Sequence, residues 1–107
     1  MSSQTLKGKV AVVTGSSRGI GRGIAVGLGE MGATVYITGR SSGAGPLTIE
    51  ATAELVNTAG GIGIPVATDL GDDLQIEGLF ENVRESQGRL DIHVNNAFKI
   101  PNPPVWG

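Results

Sequence analysis

Apolar residues follow two rhythms along this chain. "KVAVVT", Lys9 to Thr14, is a short and nearly continuous apolar run. Its length, its valines and the glycine behind it predict a strand buried on both faces. The period then changes. Ile20, Ile24, Leu28 and Met31 fall at helical spacing and form one apolar stripe. Gly32 suits the stop, where a left-handed conformation is needed. Gly23, Gly27 and Gly29 each cost a helix roughly 1 kcal/mol against Ala. Such a helix depends on packing, and its glycines offer a close approach to the sheet.

"TVYIT", Thr34 to Thr38, reads as a second strand by its β-branching and length. "GRSSGAG" follows as a loop. Pro46 fits the first turn of a second helix, and Gly60-Gly61 ends it. "IPVAT", Ile64 to Thr68, is a third strand, with Pro65 placing it near a sheet edge. Asp72 and Gln75 have capping-box spacing. Behind them Ile76, Leu79, Phe80 and Val83 form a helical stripe that Gly88 stops. "LDIHVNN", Leu90 to Asn96, is a fourth strand. Strands alternating with helices predict right-handed crossovers in a parallel sheet.

Composition narrows the field without changing this picture. The chain has 107 residues, so one small domain is expected. Net charge is −2 with Lys and Arg scattered singly, which argues against a nucleic-acid or membrane-surface footprint. There is no Cys, so neither a disulfide framework nor a thiolate metal site is available. "MSSQTLKGKV" has no apolar signal core, and no apolar run reaches membrane length. A cytoplasmic or other intracellular location is the expectation.

The chemistry lies between the first strand and the first helix, in "TGSSRGIG", Thr14 to Gly21. A helix N-terminus presents free N–H groups and a partial positive charge. Gly15 would make the turn, Gly19 the close approach to a diphosphate, and Gly21 the close helix–strand packing. A plain strand-to-helix turn would use the same glycines. The spacing is G-x-x-x-G-x-G. A P-loop ends in Gly-Lys-Ser/Thr, whereas this chain has Gly21-Arg22-Gly23, which disfavours an ATP- or GTP-hydrolysing module. "GLGEMG", Gly27 to Gly32, matches G-x-G-x-x-G literally, but it lies inside the helix and precedes a strand.

"TGSSRGIG" after a first strand resembles the cofactor turn of the short-chain dehydrogenase/reductase family. "VNNA", Val94 to Ala97, resembles that family's N-N-A-G motif, and "ATDL" its Asp-plus-apolar pair after the third strand. The likeness runs from about Gly8 to Ala97. "ATVYITGR" and the aromatic after "NNA" resemble the dehydrogenase/reductase member 1-like subgroup. The resemblance implies an α/β fold: a Rossmann-type doubly wound parallel sheet, here incomplete, with four strands in the order 3-2-1-4 and three helices. It implies that residues 1–97 bind a nicotinamide dinucleotide and that 98–107 form a Pro-rich connection toward a missing C-terminal half. It carries over as cofactor contacts Gly15, Ser17, Arg18, Gly19, Ile20 and Gly21 in the turn. Asp69 would accept from the adenine amino group and Leu70 add an apolar or backbone contact. Asn95, Asn96 and Ala97 would lie beside the cofactor. For Asp69 the alternative is a turn or cap role just before Asp72, with adenine contact favoured; for Asn95 and Asn96 it is simply to stop the strand, with Asn96 favoured as the ligand neighbour.

An NAD site places an acidic residue on the ribose 2′-hydroxyl at the end of the second strand. This chain has Gly39 there, then Arg40, with Arg18 in the glycine turn. A carboxylate would repel a 2′-phosphate, whereas two guanidiniums can bind it. NADP(H) is therefore expected over NAD(H). Reduction of a carbonyl leaves an alkoxide that must be protonated. The family does this with a Ser, a Tyr and a Lys on later elements, so no catalytic residue is assigned. Tyr36 reads as strand core and His93 as a core or edge substitution. Phe98 replaces the family's usual Gly, and Pro101, Pro103 and Pro104 suit an extended connection. Two functions stay open: the cofactor-binding half of an NADP(H)-dependent oxidoreductase, or a non-catalytic nucleotide- or partner-binding protein. A fourth strand left at the sheet margin would invite self-association.

Overall fold

The computed structural model describes residues 5–16, 19–40 and 45–96. The elements alternate as the apolar rhythm requires: β1 (Val10–Thr14), α1 (Gly19–Glu30), β2 (Thr34–Gly39), α2 (Ile49–Ala59), β3 (Ile62–Ala67), α3 (Asp73–Gln87) and β4 (Ile92–Asn95). The four strands make one sheet in the order β3-β2-β1-β4, every pair parallel. Val12 of β1 stands between Tyr36 and His93 in register. β1 is buried along its whole length, which explains its unbroken apolar run.

Side-chain alternation sends neighbouring strand residues to opposite faces. Val13, Val35 and Ile37 meet Ala25 of α1 and Ile49, Ala53 and Val56 of α2. Val10, Val12 and Tyr36 meet Leu79 and Val83 of α3. Two helices thus cover one face and a single helix the other. Tyr36 is strand core, as expected; its hydroxyl accepts from Gln87 Nε2 at 3.2 Å.

Several boundaries differ from the sequence reading, each for a local reason. Pro46 is not in the first turn of α2. Thr48 caps that helix instead, its Oγ1 accepting from the Ala51 amide at 3.1 Å, so Pro46 lies two residues ahead of the cap. β3 starts at Ile62 rather than Ile64, because Gly63 lies flush on the backbone of Ala53 and brings the strand alongside β2 early. Pro65 is on an edge strand, as expected. β4 is confined to Ile92–Asn95; Leu90 and Asp91 precede it. The α1 stripe is also narrower than its spacing suggests. Ile20 is 76% exposed and Met31 38%, while Gly21, Ala25 and Gly29 are the buried positions.

The α1 glycines divide by environment. A Cβ at Gly29 would come within 2.8 Å of Val56, so this glycine lets α1 approach α2 rather than the sheet. A Cβ at Gly23 or Gly27 would meet nothing, and neither serves close packing. Gly60 and Gly88 stop α2 and α3 in the left-handed conformation. Asp72 caps α3, accepting from Leu74 and Gln75 amides, but the capping box is only half formed. Gln75 Oε1 accepts from the Asp69 amide at 2.7 Å instead of from Asp72. No helix among the described residues is long and apolar enough to cross a membrane.

Candidate cofactor-binding site

The site sits where β1 and β4 end, around the glycine turn. Gly15 takes the turn at φ 65°. Ser16 is fully buried; its Oγ donates to Val13 O at 2.7 Å and accepts from the Thr38 amide at 3.0 Å. The Ser16 amide donates to Thr38 O at 3.1 Å, so the turn is stitched to the end of β2. Gly19 opens α1 at φ 66°, a conformation that disfavours any Cβ, although a Cβ there would meet no atom of the described residues within 4 Å. Gly21 is constrained oppositely. Its Cβ would collide with the Gly15 carbonyl oxygen and lie 2.8 Å from Asn96 Nδ2.

Asn96 completes the turn from the other side. Its amide donates to Thr14 Oγ1 at 3.0 Å and its Nδ2 to Gly15 O at 3.1 Å. The Thr14 hydroxyl has Asn95 Oδ1 at 3.2 Å and Val94 O at 3.3 Å as acceptors for its single proton. Asn96 is therefore a clamp on the glycine turn, more than a stop for the strand. No acidic residue stands in the first turn of α1, so the positive end of the helix is not offset there.

The remaining sequence-derived candidates take places around this turn. Arg40 is exposed just beyond Gly39, with no ion pair among the described residues. Ile20 projects into solvent beside the turn. Asp69 does shape a turn: its Oδ1 accepts from the Gly71 amide at 2.9 Å, and its carbonyl accepts from the Asp72 amide. The second carboxylate oxygen has no partner among the described residues. Leu70 joins Thr14, Ile76, Leu79, Phe80 and Asn95 around a cavity of about 140 Å³. The segment after β3 thus reaches the end of β4, although β3 is three places away in the sheet. Ser17, Arg18 and Ala97 lie outside the described residues, as does the Pro-rich run 98–107. His93 is exposed on β4, its ring edge-on to Phe80 at 5.1 Å between centroids, an edge position as expected.

Two residues escaped the sequence reading. Ser16 belongs to the motif, but its residue type does not announce its bonds to the end of β2. Arg22 reads from the sequence only as the residue that excludes a P-loop. It is one of only two charged residues in α1, and that isolation was the available signal. Outside the site, Asp91 fixes β4. Its Oδ2 accepts from the Val10 amide at 2.8 Å, and both its oxygens accept from Arg89. The hydrogen bond from Arg89, then that from Val10, holds the Asp91 carboxyl below the usual range, and Arg89 is raised in turn.

The fold is shared with known proteins. The family model for short chain dehydrogenases matches residues 9–103. Mouse dehydrogenase/reductase SDR family member 1 is 52% identical over 94 residues, which is 87% of this chain and 29% of that protein. The chain therefore spans less than a third of that relative's length. Two solved structures share the fold. A metagenomic short-chain oxidoreductase in complex with NADP superposes with a TM-score of 0.79 at 40% identity, over 89% of this chain and 41% of that one. An NADH-dependent reductase complexed with NAD gives 0.78 at 29% identity, over 91% and 39%. The chain belongs to the short-chain dehydrogenase/reductase family and is similar to its member 1.

Proposed function

We propose that residues 1–97 form the NADP(H)-binding portion of a short-chain oxidoreductase that moves a hydride between the nicotinamide and a carbonyl or alcohol. The observation that carries the cofactor choice is Arg40. It stands exposed beyond Gly39, where an acidic residue would be needed to hold a ribose 2′-hydroxyl. A guanidinium there offers charge-assisted hydrogen bonds to a 2′-phosphate. The structural relatives include one with NADP and one with NAD, so the preference rests on these charges. The residues fit the cofactor. Gly19 leaves open space at the α1 N-terminus, and Leu70 lines a cavity suited to a flat apolar ring. Asp69 keeps one carboxylate oxygen for an amino group. The bound dinucleotide supplies the hydride; this chain's residues bind and orient it.

Among the described residues no side chain is assigned as the proton donor for the alkoxide. Tyr36 is buried and bonded to Gln87, so it cannot serve. Calorimetric titration tests the cofactor assignment. An Arg18→Ala/Arg40→Asp variant should lose at least about tenfold in NADPH affinity while keeping NADH. Unchanged NADPH binding would refute it.

A second property is favoured by one observation. Among the described residues β4 stands at the sheet margin with its outer edge unpaired, and Ile92 and Val94 are only half buried. We infer that copies of this chain self-associate through that edge.

A further inference from the structure

Arg22, the fourth residue of α1, reaches across to the entry of α2. Its Nε donates to Thr52 Oγ1 at 2.8 Å, and its Nη2 donates to Pro46 O at 2.6 Å and lies 3.4 Å from Thr48 O. Thr52 is fully buried. Thr48 caps α2 and donates its hydroxyl to Gly45 O at 2.9 Å. Among the described residues, one guanidinium therefore grips the approach to α2 and its first turns at three points. On the other side Ser16 grips Thr38, two residues before Arg40. Among the described residues, the end of β2 and the entry of α2 are thus both tied to a single unit, Ser16 with the start of α1. That unit is the one placed to hold a diphosphate. Arg40 lies on the connection.

The α2 cap is already satisfied by Thr48, so Arg22 is not needed to complete that helix end. What it adds is a fixed distance. A 2′-phosphate is joined to the diphosphate through one ribose, so a site for both must hold its two anion-binding parts at one separation. We propose that Arg22 is a positioning residue for cofactor selection. It sets the β2–α2 connection against the glycine turn so that Arg40 meets a 2′-phosphate, without touching the cofactor itself. This rests on the NADP(H) reading.

The test compares NADPH and NADH titrations, by nucleotide fluorescence, of the full chain and three variants. Arg22→Met removes the donors while keeping length. Arg22→Lys restores one cation. Thr52→Val removes the Nε acceptor with nearly the same shape. Arg22→Met should weaken NADPH by about tenfold and NADH by less than about twofold. Arg22→Lys should recover part of the loss, and Thr52→Val should show a smaller loss of the same kind. A parent that prefers NADPH with an Arg22→Met variant of unchanged preference overturns the positioning role alone. Equal loss of both nucleotides, or loss of the helical circular-dichroism signal, also overturns it, since the residue would then serve only the fold. A parent without preference removes the NADP(H) reading and this inference together.

Discussion

Gly21 and Gly23 lie two residues apart on the same helix and answer to opposite constraints. At Gly21 an added methyl runs into the Gly15 carbonyl and the Asn96 side chain. At Gly23 it meets open space. Gly21→Ala should therefore cost about 1–3 kcal/mol by overpacking and weaken dinucleotide binding, because backbone has to shift at the turn. Gly23→Ala should gain about 1 kcal/mol from helix propensity and raise Tm by about 5 °C. Thermal melts with and without NADPH check both. Equal effects at the two positions would refute this division. Gly15 was legible in the sequence because a tight turn demands glycine, and Gly21 because a helix start packed close on that turn leaves no room for a Cβ. Arg22 was not, because Pro46 and Thr52 lie 24 and 30 residues away and two of its acceptors are main-chain carbonyls, which leave no mark on residue type.

Among the elements, β4 shows how a short strand is held. It has four residues and depends on Asp91, just ahead of it, which pairs with Val10 through its backbone amide and its carboxylate. The Asp91 carboxyl is lowered in the folded chain, first by Arg89 and then by the Val10 amide. A lowered carboxyl contributes stability above its unfolded pKa and loses it as pH falls through the folded value. Melts should therefore weaken below pH of about 4, and Asp91→Asn should flatten that part of the profile, since it removes the charge but keeps an acceptor. An acid limb of the same slope in Asp91→Asn would refute this role. A second element test concerns α3, where Asp72→Ala should cost about 1 kcal/mol by losing the cap. Chemical denaturation measures that difference. Element type and order were readable because the short unbroken apolar run of β1 and the 3.6-residue stripe of α3 separate cleanly. Boundaries failed where tertiary contacts decide. Thr48 wins the cap over Pro46, and Gly63 extends β3 because it lies on Ala53, a contact invisible in one dimension.

In the molecule as a whole, the two faces of the sheet are unequally served. Among the described residues α1 and α2 bury one face, and α3 alone covers the other, beside a β4 edge without a neighbour. Leu74 on α3 and Leu90 ahead of β4 remain exposed. Light scattering on a concentration series should show association, and His93→Lys, a charge on the exposed β4 position, should shift the chain toward monomer. A monodisperse parent monomer at all concentrations would remove the self-association proposal. The clamp of Asn96 on Gly15 has a consequence in time. The two residues are 81 positions apart. During synthesis the turn emerges early, yet it lacks its partner until β4 has left the ribosome. Contacts of such long range also form late and slowly when a chain folds. A dinucleotide added to a nascent chain would therefore find a finished cradle only once residue 96 is free to fold back.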